Sequence, residues 1–463
     1  MKYKTKTKKQ VSPYLLVLLS FLGVILLGSF LLSLPFAHKD GQWGIYMDSL
    51  FIATSATCVT GLSTYAKGLG GELTLFGQIV VLIMIQIGGL GFITIFTFII
   101  SLFQKKLQFK DRLFLSQAVN SNTIAGVSRF VKRVVTIVIA SELIGFLLGL
   151  PVFLNVQEYS TGEAIWASVF TSVSAFNNAG FDIFGSYSLL RIVENPIIYN
   201  LPTWAYYYLL CYIMILIAIG GISFISIIEI VFLRKRPKQW SPFVRIVLIT
   251  TGTLFLAGFV SFCLTDVLNG QMNSFEAFFQ SVTLRTAGFA NYDQNSLSVA
   301  GKSISCVFMF IGGSPISTAG GIKTTTVFII VLCIFRFLQG KGIVAFNRSY
   351  TKVSILKAMT LVFISLILII IAFITVASLE MGNPNNHLVT SENVIFEVFS
   401  AFGTVGLSSG MTPDLLLGSK IVLVILMFFG RLGPITLFQL FQTEMDGEEN
   451  VHFKRVENDV IIG

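Results

Sequence analysis

Four glycines at regular intervals are the residues of this chain with the clearest chemical potential. Each follows a phenylalanine by ten residues and precedes a leucine or a phenylalanine, and successive copies are roughly 110 to 120 residues apart. A fixed period indicates a repeat architecture, and four copies in one chain can surround a central axis. A fourfold ring of backbone carbonyls can replace the water around an alkali cation. The copies are Phe51 to Gly61-Leu62, Phe170 to Gly180-Phe181, Phe278 to Gly288-Phe289 and Phe396 to Gly406-Leu407.

The segments around these glycines read ATCVTGL, AFNNAGF, TLRTAGF and AFGTVGL, so their side chains disagree. The disagreement excludes a ring of identical side-chain ligands and favours backbone carbonyls. Turning successive carbonyls inward requires backbone angles that glycine adopts without a Cβ penalty. One glycine per segment, where potassium channels have two in T-V-G-Y-G, predicts a short filter. The predicted filter residues are Thr57, Cys58, Val59, Thr60, Gly61, Asn177, Asn178, Ala179, Gly180, Thr286, Ala287, Gly288, Gly403, Thr404, Val405 and Gly406.

The composition places these segments in a multi-pass protein of the cell membrane. Hydrophobic residues make up 54% of the chain and charged residues 12%, against about a quarter in a soluble domain. Stretches such as 246–264 and 358–379 approach the roughly 20 apolar residues that cross a lipid bilayer. The net charge of +9 is concentrated in the head and in segments 105–133, 234–245 and 336–357. The positive-inside rule makes these segments and both termini cytoplasmic, and this distribution argues against a nucleic-acid partner.

Each repeat is predicted to contain an apolar helix, a short amphipathic segment that ends at the glycine, and a second apolar helix. The short segments, about a dozen residues each, are too brief to cross a bilayer and suit re-entrant half-helices. We expect an all-α polytopic fold with eight spanning helices, four re-entrant pore loops and pseudo-fourfold symmetry around a central pore. The predicted bounds are 1–103 for repeat 1, 104–233 for repeat 2, 234–340 for repeat 3, 341–446 for repeat 4 and 447–463 for a cytoplasmic C-terminal tail.

A glycine pair recurs in the second helix of three repeats, and the fourth repeat has Gly430-Arg431 at this place. Glycine in membrane helices commonly allows close packing, so packing repeats without a pore are a competing interpretation. The constant spacing of the phenylalanine, a small residue, the glycine and Leu or Phe in all four copies favours a pore. The pairs are Gly88-Gly89, Gly220-Gly221 and Gly312-Gly313.

The second helix of repeat 3 is predicted to be interrupted over residues 312–326, which are rich in glycine and hydroxyl residues. Pro315 removes an amide donor and disfavours a continuous helix. Non-helical backbone at membrane depth is tolerated where it lines a cavity or is buried in protein, so we interpret the interruption as a gate. Lys323 would compete with the ion there, or reach the membrane interface beyond a simple kink. The predicted gate residues are Gly312, Gly313, Ser314, Pro315, Ser317, Thr318, Ala319, Gly320, Gly321, Lys323 and Arg431.

Two arginines require an explanation. Arg431 is predicted within the membrane, which makes it a functional-site candidate: it either raises a positive barrier or holds the gate through hydroxyls and carbonyls of residues 314–318. Arg285 lies three residues before Gly288 and would repel a cation in the pathway. We therefore expect it to turn away and pair with a carboxylate behind the loop. Candidate partners, or acids of the outer mouth, are Glu276, Glu397 and Asp414.

Together these features resemble the superfamily of potassium transporters that includes TrkH, KtrB and the plant HKT proteins. The likeness covers essentially the whole chain, and the third glycine segment is most similar to KtrB. It implies potassium uptake through a channel-like pore, with K+ at the carbonyls of Gly61, Gly180, Gly288 and Gly406. It also implies a homodimer docked on a cytosolic ring of nucleotide-binding regulatory subunits similar to KtrA. Some relatives with Ser at the first position conduct sodium, so Gly61 favours potassium. Coupling to Na+, or a less selective cation pathway, stays open.

Functions of other classes are less well supported. A secondary transporter of a small solute would show inverted repeats and buried carboxylates at the midplane, whereas these repeats run in parallel sense. For an enzyme, His38, His387 and His452 form no metal site or catalytic triad. No phosphate-binding glycine loop is present either, so we expect no organic cofactor on this chain.

Overall fold

The computed structural model describes residues 13–91, 127–156, 159–185, 202–233, 236–384 and 387–433. The basic head, most of the basic segment 105–133 and the predicted tail 447–463 lie outside these residues, so both predicted cytoplasmic termini do as well. The described residues are mainly helical, as predicted, with one two-stranded antiparallel hairpin, in which β1 (Val344–Ala345) pairs with β2 (Arg348–Ser349).

The helices follow one another in the predicted order of long helix, short helix and second apolar helix. In repeat 1 they are α1 (Pro13–Ser33), α2 (Tyr46–Thr57), α3 (Gly68–Glu72) and α4 (Leu75–Leu90), and in repeat 2 α5 (Val127–Leu154), α6 (Thr161–Phe176), α7 (Thr203–Gly221) and α8 (Phe224–Ile228). In repeat 3 they are α9 (Pro242–Phe262), α10 (Ser274–Thr283), α11 (Val299–Phe310) and α12 (Thr324–Leu338), and in repeat 4 α13 (Lys352–Glu380), α14 (Ser391–Gly403) and α15 (Leu417–Leu432).

Four helical segments of the described residues are long and apolar enough to cross a membrane: 129–154, 203–221, 242–267 and 352–380. Further apolar helices are shorter, including 299–310 and 324–338 on either side of the interruption in repeat 3. The outer face of α13 leaves Phe363, Ile367 and Ile374 more than half exposed, as suits a surface in contact with lipid. The predicted count of eight spans and the repeat bounds stay predictions.

The four short helices α2, α6, α10 and α14 carry the glycine segments at their C-terminal ends. Their N-termini are fixed locally, because Ser160 and Glu163 form a reciprocal capping box on α6 and Asn273 and Glu276 form one on α10. Hydrogen bonds from the Ser160 backbone and hydroxyl to the exposed Glu163 carboxylate hold the pKa of that carboxyl below its ordinary value. The opposite ends of the short helices lead into the glycine segments.

Buried clusters of side chains join neighbouring repeats close to the glycine segments. Phe170 and Phe181 of repeat 2 pack in one cluster with Val59 and Ile85 of repeat 1. Cys58 and Leu62 of repeat 1 lie in another cluster with Ala401 and Met427 of repeat 4. Each short helix is thus held by side chains of an adjacent repeat, so the four glycine segments are positioned by the assembly of repeats.

Candidate functional site

The four glycine segments share one backbone conformation although their side chains differ. The residue two positions before each glycine lies in the left-handed region, and the glycine itself has a positive φ. Glycine adopts such angles readily, whereas other residues do so at a cost. The φ angles are 56° at Val59 and 104° at Gly61, 57° at Asn178 and 69° at Gly180, 66° at Thr286 and 75° at Gly288, and 49° at Thr404 and 93° at Gly406.

The four glycines form a closed ring in the order of the repeats, which we call the glycine ring (Gly61, Gly180, Gly288 and Gly406). Each glycine faces the carbonyl of the residue that precedes the glycine of the next repeat. A Cβ added to the glycine would lie 2.6 Å from the Ala179 oxygen at Gly61, 2.8 Å from the Ala287 oxygen at Gly180, 2.2 Å from the Val405 oxygen at Gly288 and 2.1 Å from the Thr60 oxygen at Gly406. Contacts this short leave no room for a side chain at any of the four positions.

Hydroxyl groups of the short helices hold the glycine segments in place. Ser55 accepts a hydrogen bond from the Gly61 amide at 3.1 Å, and Ser400 accepts one from the Gly406 amide at 3.1 Å. In repeat 2, Ser174 donates to the Phe181 carbonyl at 2.6 Å. Sequence reasoning missed these residues, although a serine six positions before the glycine recurs in three repeats and was a usable signal.

The segment of repeat 3 is one residue shorter than its counterparts. Thr283 takes the place of the serine and donates to the Phe289 carbonyl at 2.7 Å, but it lies only five residues before Gly288. The buried phenylalanine shifts with it: Phe279 is fully buried, whereas Phe278 is 37% exposed. The prediction that Phe278 is equivalent to the other three phenylalanines is therefore wrong, because the helix register slips by one residue before the glycine.

The predicted glycine pairs let the second helices approach the ends of the short helices. A Cβ at Gly88 would lie 2.0 Å from the Thr57 carbonyl oxygen. Thr57 lies four residues before its ring glycine, and the same contact occurs at this position in two other repeats. An added Cβ would lie 1.8 Å from the Phe176 carbonyl oxygen at Gly220 and 1.9 Å from the Phe402 carbonyl oxygen at Gly430. In repeat 3, by contrast, Gly312 meets the Gly320 oxygen at 2.0 Å. Packing thus accounts for the pairs in three repeats, and repeat 3 departs from the pattern.

The departure in repeat 3 is a non-helical stretch of residues 311–323, here called the interrupting loop. Helix α11 ends at Phe310 and α12 begins at Thr324, which confirms the predicted break. The loop is tied to the end of α7, because the Ser314 amide donates to the Gly221 carbonyl at 3.1 Å and the Thr318 hydroxyl donates to the Gly220 carbonyl at 2.9 Å. Hydrogen bonds to two backbone carbonyls of α7 therefore fasten the loop to the neighbouring repeat.

The interrupting loop also lies directly against the glycine segments. The Thr318 hydroxyl is 3.3 Å from the carbonyl of Phe176, the last residue of α6. A Cβ at Gly320 would lie 2.0 Å from the Thr404 hydroxyl oxygen, and one at Gly321 would lie 3.3 Å from the Gly403 carbonyl. The structure thus brings predicted gate residues against the end of α6 in repeat 2 and against the predicted filter residues Gly403 and Thr404 of repeat 4.

Both predicted gate cations bind backbone carbonyls. Arg431 donates to the carbonyls of Thr318 in the loop and Gly88 in repeat 1, and it lies 3.5 Å from the Gly89 carbonyl oxygen. This contact with Thr318 agrees with the alternative in which Arg431 holds the loop. Lys323 donates to the Ala319 carbonyl at 2.7 Å, so its ammonium turns back onto the loop and does not extend to an interface.

Among the described residues, Arg285 pairs with no carboxylate, which corrects the prediction made for it. It is buried and donates to the Gly312 carbonyl, while within the described part of the chain its Nε and Nη1 have no partner. Glu397 accepts instead from Ser408 at 2.5 Å and from the Ser409 amide at 3.0 Å. Glu276 caps α10 by accepting from the Asn273 amide at 2.8 Å. Both acids are thus committed to local structure, and neither is a free charge at an outer mouth.

Polar ties between repeats were not anticipated from the sequence. Lys420 lies ten residues before Gly430, and its ammonium donates to the Asp48 carboxylate of repeat 1 at 2.7 Å. Lys302 lies ten residues before Gly312 and donates to Asn393 of repeat 4 at 3.0 Å. Gln78 occupies this position in repeat 1 and accepts from the Trp166 indole at 2.7 Å. The constant spacing was visible in the sequence, but only the fold reveals which residues it joins.

Partial negative charge and buried filter residues lie close to the glycine ring. The C-terminal ends of α2, α6, α10 and α14 carry partial negative charge and lie just before the ring residues. The carbonyls of Thr60, Ala179, Ala287 and Val405 converge on the same ring. Filter side chains such as Thr57, Asn177 and Thr286 are buried around it.

Comparison with known proteins shows the family and the fold of this chain. Residues 13–453 match the family described as TrkH, cation transport protein. The chain is 35% identical over 469 residues to the potassium/sodium uptake protein NtpJ of Enterococcus hirae, covering 99% of each chain. It is 35% identical over 446 residues to Ktr system potassium uptake protein B of Bacillus subtilis, covering 94% of each. Its fold is similar to the crystal structure of the potassium transporter TrkH from Vibrio parahaemolyticus, with a TM-score of 0.70, 17% identity and coverage of 95% of this chain and 86% of that one.

Proposed function

Because this chain belongs to the TrkH family of cation transport proteins, we propose that it takes up potassium ions across the cell membrane through the glycine ring. The observation that carries the proposal is the closed order of contacts, in which every ring glycine faces the carbonyl that precedes the next one. In a closed ring of this kind, the carbonyls of the glycines themselves can replace the hydration shell of an alkali cation without any ionised ligand. The converging helix ends add to this preference for a cation.

The proposed filter consists of the ring glycines and the residues before them, with the carbonyls of Gly61, Gly180, Gly288 and Gly406 as potassium ligands. Glycine is required there because a side chain would collide with a carbonyl of the neighbouring repeat. The shared backbone conformation supports four equivalent positions around one axis. The side chains of Cys58 and Asn177 are buried, and side chains that do not bind the ion need not be alike.

The proposed gate is the interrupting loop together with Arg431. Its support is the set of contacts that place Thr318 and Gly320 against the predicted filter segments of repeats 2 and 4. Arg431 and the end of α7 hold the loop in this position. Displacement of the loop would open the path on this side of the glycine ring.

Potassium is the proposed cargo, and sodium is the second candidate. Relatives at 35% identity are a potassium/sodium uptake protein and a potassium uptake protein. The four glycines resemble each other in backbone conformation, which favours one carbonyl ring over a mixed site.

We also propose that the chain acts as a homodimer with a cytosolic nucleotide-binding regulatory ring, because one relative is named as a component of a Ktr system.

The proposal is tested by uptake of potassium and sodium into vesicles that contain the purified protein, for the wild type and for Gly288→Ser. The added Cβ would lie 2.2 Å from the Val405 carbonyl oxygen at a φ of 75°, so the ring must distort. Gly252→Ser is the matched control in the same repeat, because no atom lies within 4 Å of its added Cβ. We expect a potassium preference that Gly288→Ser loses and the control keeps. A folded Gly288→Ser protein with wild-type preference would contradict the proposal.

A further inference from the structure

Arg285 is the buried cation that the proposed transport mechanism leaves without a role. It lies three residues before Gly288, within the shortened segment of repeat 3, and is 4% exposed. Its Nη2 donates to the carbonyl of Gly312, which belongs to the interrupting loop. One side chain thus joins a segment of the glycine ring to the loop.

The burial of Arg285 is energetically costly, which indicates that its position is fixed by the surrounding structure. A guanidinium removed from water needs compensation, yet among the described residues its Nε and Nη1 have no hydrogen-bond partner. Among the described residues, Arg285 donates to the Gly312 carbonyl, and a hydrogen bond from a charged donor is stronger than one between neutral groups. The position of Arg285 therefore depends on the position of Gly312.

The position of Gly312 in turn depends on the conformation of the interrupting loop. A Cβ on this residue would lie 2.0 Å from the Gly320 carbonyl oxygen and 2.9 Å from the Gly321 Cα, so both ends of the loop meet at Gly312. The next residue, Gly313, accepts from the Thr324 amide at 3.0 Å, where α12 begins. A displacement of the loop cannot leave Gly312 in place.

On its other side, Arg285 is connected to two contacts of the glycine ring. Two residues further on, the Ala287 carbonyl faces Gly180, and then Gly288 faces the Val405 carbonyl. The segment of repeat 3 has one residue fewer than the others in which to absorb a movement. A shift of Arg285 is therefore transmitted to the ring contacts with repeats 2 and 4.

We infer that Arg285 is a positioning residue that couples the interrupting loop to the glycine ring, holding the loop at Gly312 while the ring is in its observed conformation. The inference rests on the proposed filter and gate. It assigns to Arg285 a role in control of flux that is separate from ion coordination.

The experiment measures potassium uptake into vesicles for four proteins: the wild type, Arg285→Gln, a deletion of residues 314–321, and the two changes combined. We expect Arg285→Gln to raise flux about tenfold, the factor that corresponds to one charge-assisted hydrogen bond of ~1.4 kcal/mol. In the deleted protein the same substitution should change flux less than about twofold, because no loop remains to be released. Equal effects of Arg285→Gln in both backgrounds would overturn the inference, as would no effect in a folded protein.

Two further variants separate this role from a loss of stability. Arg285→Lys keeps the charge but reaches the carbonyl through a compact ammonium, so we expect an intermediate flux, about threefold above the wild type. If Arg285→Gln does not fold, wild-type flux in folded Arg285→Lys overturns the inference. Lys302→Gln removes another buried cation of repeat 3, one that bonds Asn393 and not the loop, and should keep flux within about twofold of the wild type.

The outcomes also distinguish this inference from the proposed function. If the deletion alone fails to raise flux, the gate is wrong, and the coupling through Arg285 is wrong with it. If the deletion raises flux but Arg285→Gln acts equally in both backgrounds, only the coupling is wrong. Loss of potassium preference in Gly288→Ser tests the filter separately from either result.

Discussion

The glycine ring and the layer of helices next to it differ in how closely the four repeats agree. In the ring, all four segments repeat one pair of backbone conformations and one contact with the next repeat, although their side chains are unrelated. In the adjacent layer, Gly88, Gly220 and Gly430 repeat one contact, while repeat 3 has the interrupting loop and repeat 4 has Arg431. Where the four repeats agree, a common backbone geometry is required. Where repeats 3 and 4 differ from the others, their residues form contacts that the other repeats lack.

The largest expected effect on potassium flux comes from removing the interrupting loop of repeat 3. Deletion of residues 314–321 takes away the bonds of Ser314 and Thr318 to α7 and the bond of Thr318 to Arg431. Three such bonds together are worth about 3 kcal/mol, so we expect potassium flux to rise about 100-fold. Uptake into vesicles measures the rise. Because the ring contacts are retained, the preference for potassium over sodium should stay within about threefold of the wild type.

A protein that folds without the loop and shows wild-type flux would break the comparison. In that case the interrupting loop would be a packing feature, in agreement with the competing interpretation that the glycine pairs serve packing without a pore. Size-exclusion profiles of the purified deletion protein provide the control for folding.

A smaller effect is expected from Arg431→Ala. The substitution removes charge-assisted bonds to the carbonyls of Thr318 and Gly88, and it leaves the glycine ring untouched. Loss of the anchor on the loop should raise flux about tenfold, which corresponds to ~1.4 kcal/mol, without a change in ion preference. Flux and the potassium-to-sodium ratio are measured in the same vesicles.

Arg431→Lys sharpens this prediction, because it keeps the charge and loses the forked donor. If Arg431 holds the loop, the lysine variant should show raised flux, since one ammonium cannot reach carbonyls in two repeats at once. If Arg431 acts as a positive barrier, the lysine variant should behave as the wild type while the alanine variant does not. The contacts favour the first outcome.

The smallest effect is expected at the tie between Lys420 and Asp48, which belongs to neither the glycine ring nor the interrupting loop. The Nζ to Oδ1 distance is 2.7 Å, with the two side chains 13% and 17% exposed. Lys420→Met should lower stability by about 1–2 kcal/mol, less than for a fully buried pair, and should leave ion preference within about twofold. The midpoint of thermal inactivation in detergent measures the change. A double-mutant cycle with Asp48→Asn is the control, and a zero coupling energy would show that the tie does not hold the repeats together.

Much of the symmetric part could be predicted from the sequence. The helix order and the positive φ of the four glycines follow from apolar periodicity and from the conformational freedom of glycine. Outside the symmetric part, Pro315 predicts the break between α11 and α12. The family resemblance agrees with the match over residues 13–453. These features depend on local backbone properties, which the sequence carries directly.

The pairing of residues across repeats could not be predicted. Arg285 was expected to pair with a carboxylate, but it bonds the Gly312 carbonyl, and the candidate Glu397 accepts from Ser408 and Ser409. The slipped register of repeat 3, with Phe279 in place of Phe278, depends on a segment one residue shorter that only the assembled backbone reveals. Partners of polar groups are set by the fold as a whole, and spacing along the chain does not specify them.

The central claim is that four glycines act as one ring, and the potassium-to-sodium uptake ratio of four single variants tests it most directly. Gly61→Ser, Gly180→Ser, Gly288→Ser and Gly406→Ser each place a Cβ within 2.1 to 2.8 Å of a neighbouring carbonyl oxygen. Strain of about 1–3 kcal/mol at each position should lower the ratio about 5-fold to 100-fold in all four variants. A folded variant at any of the four positions that keeps the wild-type ratio would contradict the ring.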